Sequence, residues 1–150
     1  MEWIRMPQED AEMIATWKYP EPYSFYDMTA DEEDYEEFIH PEKRSEHTYS
    51  VYEDGKLIGF FTIIPTDSLT VDLGLGLRPD LTGKGYGRRF LEEGIEFAKF
   101  HYSTEKFTLS VAAFNKRAIE VYRRVGFRKI KVFMQSTNGS EYEFVKMVMP

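Results

Sequence analysis

Apolar residues recur along this chain in two periods, and the switches between them divide it into elements. Trp3 to Met6 reads as a short strand. Gln8 to Thr16, behind Pro7, reads as a helix with Ala11, Met13 and Ile14 on one face and Trp17 just beyond. A second helix begins in Thr29-Ala-Asp-Glu-Glu-Asp, where Thr29 suits an N-cap and the acids suit the positive end of the helix. Tyr35, Phe38 and Ile39 form its apolar side, and His40-Pro41 ends it. His47 to Tyr52 alternates, Asp54-Gly55 is a hairpin turn, and Leu57 to Ile64 is a strongly apolar strand. Leu69 to Leu77 is another strand, whose Gly74 and Gly76 suggest a bulge or the close approach of a ligand to the backbone. Gly87, Phe90, Leu91, Gly94, Ile95 and Ala98 then recur at helical spacing between Gly85 and Tyr102. Phe107 to Ala112 is a strand, and Asn115 caps a helix from Lys116 to Val125 that Gly126 stops. Phe127 to Met134 and Tyr142 to Met149 are strands joined through Asn138-Gly139. The order is β-α-α-β-β-β-α-β-α-β-β, with no internal repeat, low-complexity segment or linker.

Composition narrows what such an assembly does. A length of 150 residues, 42% of them hydrophobic, fits one folded domain spanning 1–150. There is no cysteine, which excludes disulfides, thiolate metal sites and a Cys nucleophile and agrees with a cytoplasmic location. The first residues carry acids and no apolar run, unlike a signal peptide, and no stretch approaches the ~18 apolar residues that span a bilayer. A formal net charge of -7 argues against nucleic-acid and anionic-membrane partners and suits a cationic one. His40, His47 and His101 are too far apart in sequence for a metal-ligand spacing, so no metal is expected.

The chemistry concentrates in Arg78-Pro-Asp-Leu-Thr-Gly-Lys-Gly-Tyr-Gly-Arg-Arg. Glycines before a helix let the backbone approach an anion, and the free amides at the helix start donate to it. The dinucleotide fingerprint fails on spacing: its third glycine falls on Arg88 when counted from Gly83 and on Pro79 when counted from Gly74. The mononucleotide P-loop fails too, because Arg78 stands where it needs glycine and Gly85 where it needs Ser or Thr. The remaining pattern, Thr82-Gly83-Lys84-Gly85-Tyr86-Gly87, resembles the Q/R-x-x-G-x-G/A motif of the GNAT family of N-acetyltransferases, with Thr82 in the place of Gln or Arg. Downstream, Asn115-Lys-Arg-Ala-Ile-Glu-Val-Tyr-Arg-Arg-Val-Gly-Phe127 resembles the family's N-x-x-A-x-x-x-Y-x-x-x-G-F motif.

The resemblance covers essentially the whole chain. It implies an α/β (α+β) fold, with a mixed central sheet of about six or seven strands flanked by about four helices. It implies acetyl-CoA as co-substrate and direct attack of a primary amine on the thioester. The amine loses a proton as the C–N bond forms, and the departing thiolate gains one as the C–S bond breaks. Pantetheine is then expected along Leu75-Gly76-Leu77, and the diphosphate on the backbone from Gly83 through Lys84, Gly85, Tyr86 and Gly87 to Arg88. Thr82, Asn115 and Arg117 are expected nearby, Asn115 as cap, contact or both. The Leu77 amide is expected to hold the thioester oxygen, and Tyr122 matches the general acid. The base is open. Ser110 stands where some relatives carry Glu, which leaves Asp72, Glu105 or water. The acceptor is expected at the aromatic-rich segment WKYPEPYSFYD, at Trp17, Tyr23 and Tyr26, followed by seven acids within Asp27 to Glu37. The same residues also fit plain packing of a loop onto the sheet. A monomer or homodimer is expected, and the alternative to an enzyme is a non-catalytic CoA-binding domain of the same fold.

Overall fold

The computed structural model describes residues 1–150. One mixed sheet of seven strands carries the fold, in the order β1-β2-β3-β4-β5-β7-β6. The strands are β1 (Glu2–Arg5), β2 (Thr48–Glu53), β3 (Lys56–Pro65), β4 (Thr70–Leu77), β5 (Lys106–Ala112), β6 (Arg128–Thr137) and β7 (Ser140–Met149). The helices are α1 (Gln8–Ile14), α2 (Glu32–Ile39), α3 (Tyr86–Tyr102) and α4 (Lys116–Val125). Two hairpins close where the sequence placed them. Asp54-Gly55 and Asn138-Gly139 all take positive φ, from 51° to 77°, as tight turns between right-twisted strands require.

The two faces of the sheet bury different sets of side chains. Val71, Leu73, Leu109, Val111, Val145 and Met147 meet Phe90, Leu91, Ile95 and Ala98 of α3 in the main core. At its centre the Phe61 and Phe90 rings lie 4.8 Å apart, with Trp3 4.9 Å from Phe61. Each such buried side chain stabilises the fold by roughly 1.5–3 kcal/mol. On the other face Met6, Ala11, Ile14 and Trp17 form a smaller cluster that Phe38 and Phe60 complete.

Three expectations need correction. Thr29 does not cap α2: it lies in the single 3-10 turn Met28–Ala30, and Asp31 caps instead, accepting from the Asp34 amide at 2.9 Å. Trp17 is buried in the smaller cluster rather than exposed to a binding site. The glycines of β4 make no bulge, since its register with β3 runs unbroken from Pro65↔Val71 to Gly59↔Leu77. They answer a steric need across that pair: a Cβ at Gly76 would sit 2.2 Å from the Phe60 ring, and one at Gly74 2.4 Å from the Thr62 hydroxyl oxygen.

Candidate active site

The opening that a bulge was expected to make comes from divergence of two strands. β4 and β5 pair in parallel from Thr70↔Lys106 only as far as Leu73↔Leu109. Beyond that point β4 stays with β3 and β5 stays with β7, so a wedge opens beside Gly74–Leu77. Arg78 donates to the Ile58 carbonyl at 2.8 Å. By the alternation of an antiparallel ladder, Gly74 and Gly76 therefore turn their backbone groups to β3, and Leu75 and Leu77 turn theirs into the wedge.

A cavity of about 510 Å³ fills this wedge and continues to the N-termini of α3 and α4. Among its lining residues are Leu75, Gly76 and Leu77 on one wall, Thr82, Gly83, Gly85 and Gly87 at one end, and Asn115, Arg117 and Tyr122 from α4 and its cap. Gly83 and Gly85 take φ of 70° and 78°, a left-handed conformation that glycine adopts without strain. The exposed amides of Gly83, Lys84 and Gly85 make no hydrogen bond within the protein, and α3 starts directly behind them with no side-chain cap and no acid in its first turn. Free amides and a helix start facing one way form a cradle for an anion. Thr82 closes the turn before it, its hydroxyl donating to the Pro79 carbonyl at 2.7 Å.

Not every residue of the glycine stretch turns its side chain to the cavity. The Tyr86 hydroxyl and the Arg89 guanidinium both bind Glu53, and Arg89, together with Tyr86, holds that carboxyl below the usual range. Arg88 lies 3.7 Å from Glu92 on its own helix, and the Lys84 side chain has no partner. Lys84, Tyr86 and Arg88 are absent from the cavity lining as side chains.

The opposite wall comes from the aromatic loop. Tyr19, Tyr23 and Tyr26 all line the cavity. Tyr19 belongs to the aromatic-rich segment expected at the acceptor, where Trp17, Tyr23 and Tyr26 were the named candidates. The Tyr19 hydroxyl donates to the Leu77 carbonyl at 2.8 Å, across 58 positions of sequence, and burial, then the nearby Asp27 charge, pushes that hydroxyl well above the ordinary phenol value. Asn115 performs two tasks at once. Its Oδ1 accepts from the Ala118 amide at 3.1 Å as the cap of α4, and its Nδ2 donates to the Tyr26 hydroxyl at 3.1 Å. Phe114, next to Asn115, extends the aromatic cluster, with its ring 5.4 Å from Phe25 and 6.0 Å from Tyr26. The sequence signal for Tyr19 was its place in the aromatic-rich segment WKYPEPYSFYD, and for Phe114 its place beside Asn115.

Tyr122 also lines the cavity. Burial, with the Tyr26 phenol as a second cause, raises its hydroxyl above the ordinary value near 10. Asp72 is elsewhere. It does not line the cavity, and its carboxylate accepts from the Thr108 hydroxyl at 2.6 Å. Position along the strand explains this: Asp72 pairs with Thr108 where β4 and β5 are still joined, whereas Ser110, on the same face, lies past the last pair Leu73↔Leu109 where the wedge is open. Ser110 does line the cavity, but no Asp, Glu or His does.

These features together fit a long ligand with an anionic end and an amide-bearing arm. The sequence profile of the acetyltransferase (GNAT) family matches residues 9–127, and the chain belongs to that family. Acetyl-CoA is the family's co-substrate, and the residues present fit it. The wedge offers backbone groups to an amide-bearing arm, and the cradle with Arg117 offers donors and charge to a diphosphate. A UPF0039 protein of Schizosaccharomyces pombe is 36% identical over 78 residues, 51% of this chain and 50% of that protein. A spermidine N(1)-acetyltransferase of Vibrio cholerae is 26% identical over 117 residues, 76% of this chain. The chain thus spans half the length of the first curated relative and 65% of the second. Among solved structures, spermidine N-acetyltransferase from Vibrio cholerae in complex with CoA and spermine has a TM-score of 0.75 at 17% identity, covering 99% of this chain and 94% of that one. A GNAT-family acetyltransferase from Bacillus anthracis has a TM-score of 0.73 at 12% identity, covering 98% and 92%. At these identities the likeness is one of fold.

Proposed function

We propose that this protein transfers the acetyl group of acetyl-CoA to the nitrogen of a small cationic amine of the polyamine class. One observation carries the reading: a single cavity is lined by the glycine loop, the β4 wedge and the aromatic loop, with Tyr122 among its lining residues. Acetyl-CoA supplies the thioester. The chain supplies the rest. Amides at Gly83 to Gly85 and the Arg117 guanidinium hold the diphosphate, and the Leu77 amide, turned into the wedge, is the donor for the acyl oxygen. Tyr122 keeps its proton through neutral pH and has it ready for the departing sulfur, whose own proton affinity rises in the same low-dielectric surroundings. With no carboxylate or imidazole lining the cavity, the acceptor gives its proton to water and reacts as the free amine.

The polyamine class is supported by the spermidine-acetylating relatives and by charge. A second recess of about 210 Å³ shares Tyr26 with the main cavity and is lined in part by Asp27, Asp31 and Asp34. Asp34 is held above the usual carboxylate range, first by burial and second by the negative charges of Asp31, Glu37 and Glu33. A distal ammonium placed there would offset those charges. The test is release of free CoA thiol with a panel of polyamines, monoamines, amino acids and peptide amines, for wild type and Tyr122→Phe. Turnover highest on polyamines, and lost in the variant, is the expected result. CoA binding without turnover of any amine would make this a binding domain instead.

A further inference from the structure

We propose that Arg117 couples the two halves of the cavity: anion binding at the glycine loop seats the acceptor loop through the stack of Arg117 on Tyr23, which makes Tyr23 a positioning residue. The proposal rests on the acetyl-CoA reading of the wedge. Arg117 stands in the first turn of α4, where the helix dipole repels a cation and no acid offsets it. Its guanidinium has no carboxylate partner, whereas Arg78, Arg88, Arg89, Arg123 and Arg124 each have one. Its guanidinium carbon instead sits 4.1 Å from the centre of the Tyr23 ring. A terminal nitrogen of the same group lies so close to Gly83 that a Cβ there would come within 2.9 Å of it. One side chain therefore touches both the loop that offers amides to an anion and the loop that walls the acceptor chamber.

The other hydrogen bonds that tie the acceptor loop to the rest of the fold are neutral: Tyr19 to the Leu77 carbonyl, Asn115 to Tyr26, and Asn138 to the Phe25 carbonyl at 2.9 Å. They have no reason to respond to an arriving charge. Arg117 does. A diphosphate offsets the unfavourable position of the cation on α4 and restricts its long side chain, so that stacking on Tyr23 costs less rotamer freedom than before. By linkage, a seated loop strengthens CoA binding by the same factor.

Hydrogen exchange of residues 19–27 in the full chain, without and with saturating CoA, reads this coupling directly. In wild type, CoA is expected to slow exchange of that segment about tenfold, within the usual range of coupling between sites. In Tyr23→Leu, and in Arg117→Lys, which keeps the charge but loses the planar stack, the slowing is expected to fall below about twofold at saturation, with protection of residues 82–88 retained. Wild-type protection of residues 19–27 in either variant overturns the proposal. So does a rise in exchange of the CoA-free variants equal to the protection lost, because Tyr23 would then brace the loop with or without the anion. Failure of CoA to bind wild type overturns the acetyl-CoA reading and the coupling with it; binding without protection of residues 19–27 overturns the coupling alone.

Discussion

At Tyr122, the acid in the proposed reaction, the environment decides which protonation state the hydroxyl keeps. Its acidity is weakened by burial first and by Tyr26 second, so the neutral phenol persists as pH rises past the point where an exposed tyrosine ionises, near 10. The acceptor amine has the opposite demand, since only its deprotonated form attacks and no cavity carboxylate or imidazole accepts the proton. kcat/KM is therefore expected to climb with pH along the titration of the amine, with no falling limb from Tyr122 below about pH 10. A bell with a carboxylate-range or imidazole-range ascending limb, independent of which amine is used, would place a protein base in the reaction. Tyr122→Phe keeps the ring that contacts Phe127 and removes only the donor. A loss of about 10²–10⁴ in kcat with a nearly unchanged CoA dissociation constant is expected, as for removal of a positioned acid.

At the scale of elements, α4 is the joint on which the site turns, and Asn115 fixes it. Asn115→Ala removes the cap and the tie to Tyr26, and thermal or denaturant unfolding should report a loss of about 1–2 kcal/mol. Asn115→Asp keeps the cap acceptor but loses the donor to Tyr26; full recovery of both stability and amine KM in that variant would show the tie to be idle. On α3, Gly94 faces Phe61, and a Cβ there would lie 2.4 Å from its ring. Gly94→Ala should therefore destabilise by about 1–3 kcal/mol despite the better helix propensity of alanine, and a gain in melting temperature would contradict the packing. These examples also separate what local sequence encodes from what it leaves out. Asp54-Gly55, Asn138-Gly139 and the Asn115 cap were legible because positive φ and capping depend on neighbours a few positions away. The cap of α2 went to Asp31 because a single 3-10 turn took up Thr29, a displacement of two residues that the acidic composition of the segment does not reveal. Asp72 and Trp17 were misplaced for another reason. Whether each reaches the cavity depends on where β4 parts from β5 and on how α1 docks, and neither is written in its neighbours.

For the whole molecule, the order of elements was legible in the pattern and the mixed sheet in the family resemblance, but the origin of the site was not. The wedge exists because β4 and β5 separate after Leu73↔Leu109, a relation between strands with an entire helix between them. The Tyr19 hydrogen bond to Leu77 is similarly remote in sequence. Charge, by contrast, is a global property that the composition gives directly, and it bears on the acceptor. The net charge is -7, and three aspartates line the recess beside the aromatic chamber. A field of that sign draws in a cation from a distance and is screened within about 10 Å at 0.1 M salt. A triamine feels it more than a monoamine of similar size, because attraction scales with ligand charge. Raising the salt from about 0.05 to 0.5 M is therefore expected to lower kcat/KM for spermidine several-fold, mostly through KM, and to change that for a neutral-tailed monoamine by less than about twofold. Asp34→Asn, at a carboxylate exposed enough to be replaced without disturbing the core, should flatten the spermidine dependence while leaving the monoamine untouched. Equal salt slopes for the two amines would remove the acidic recess from acceptor recognition and leave the aromatic chamber alone to select the substrate.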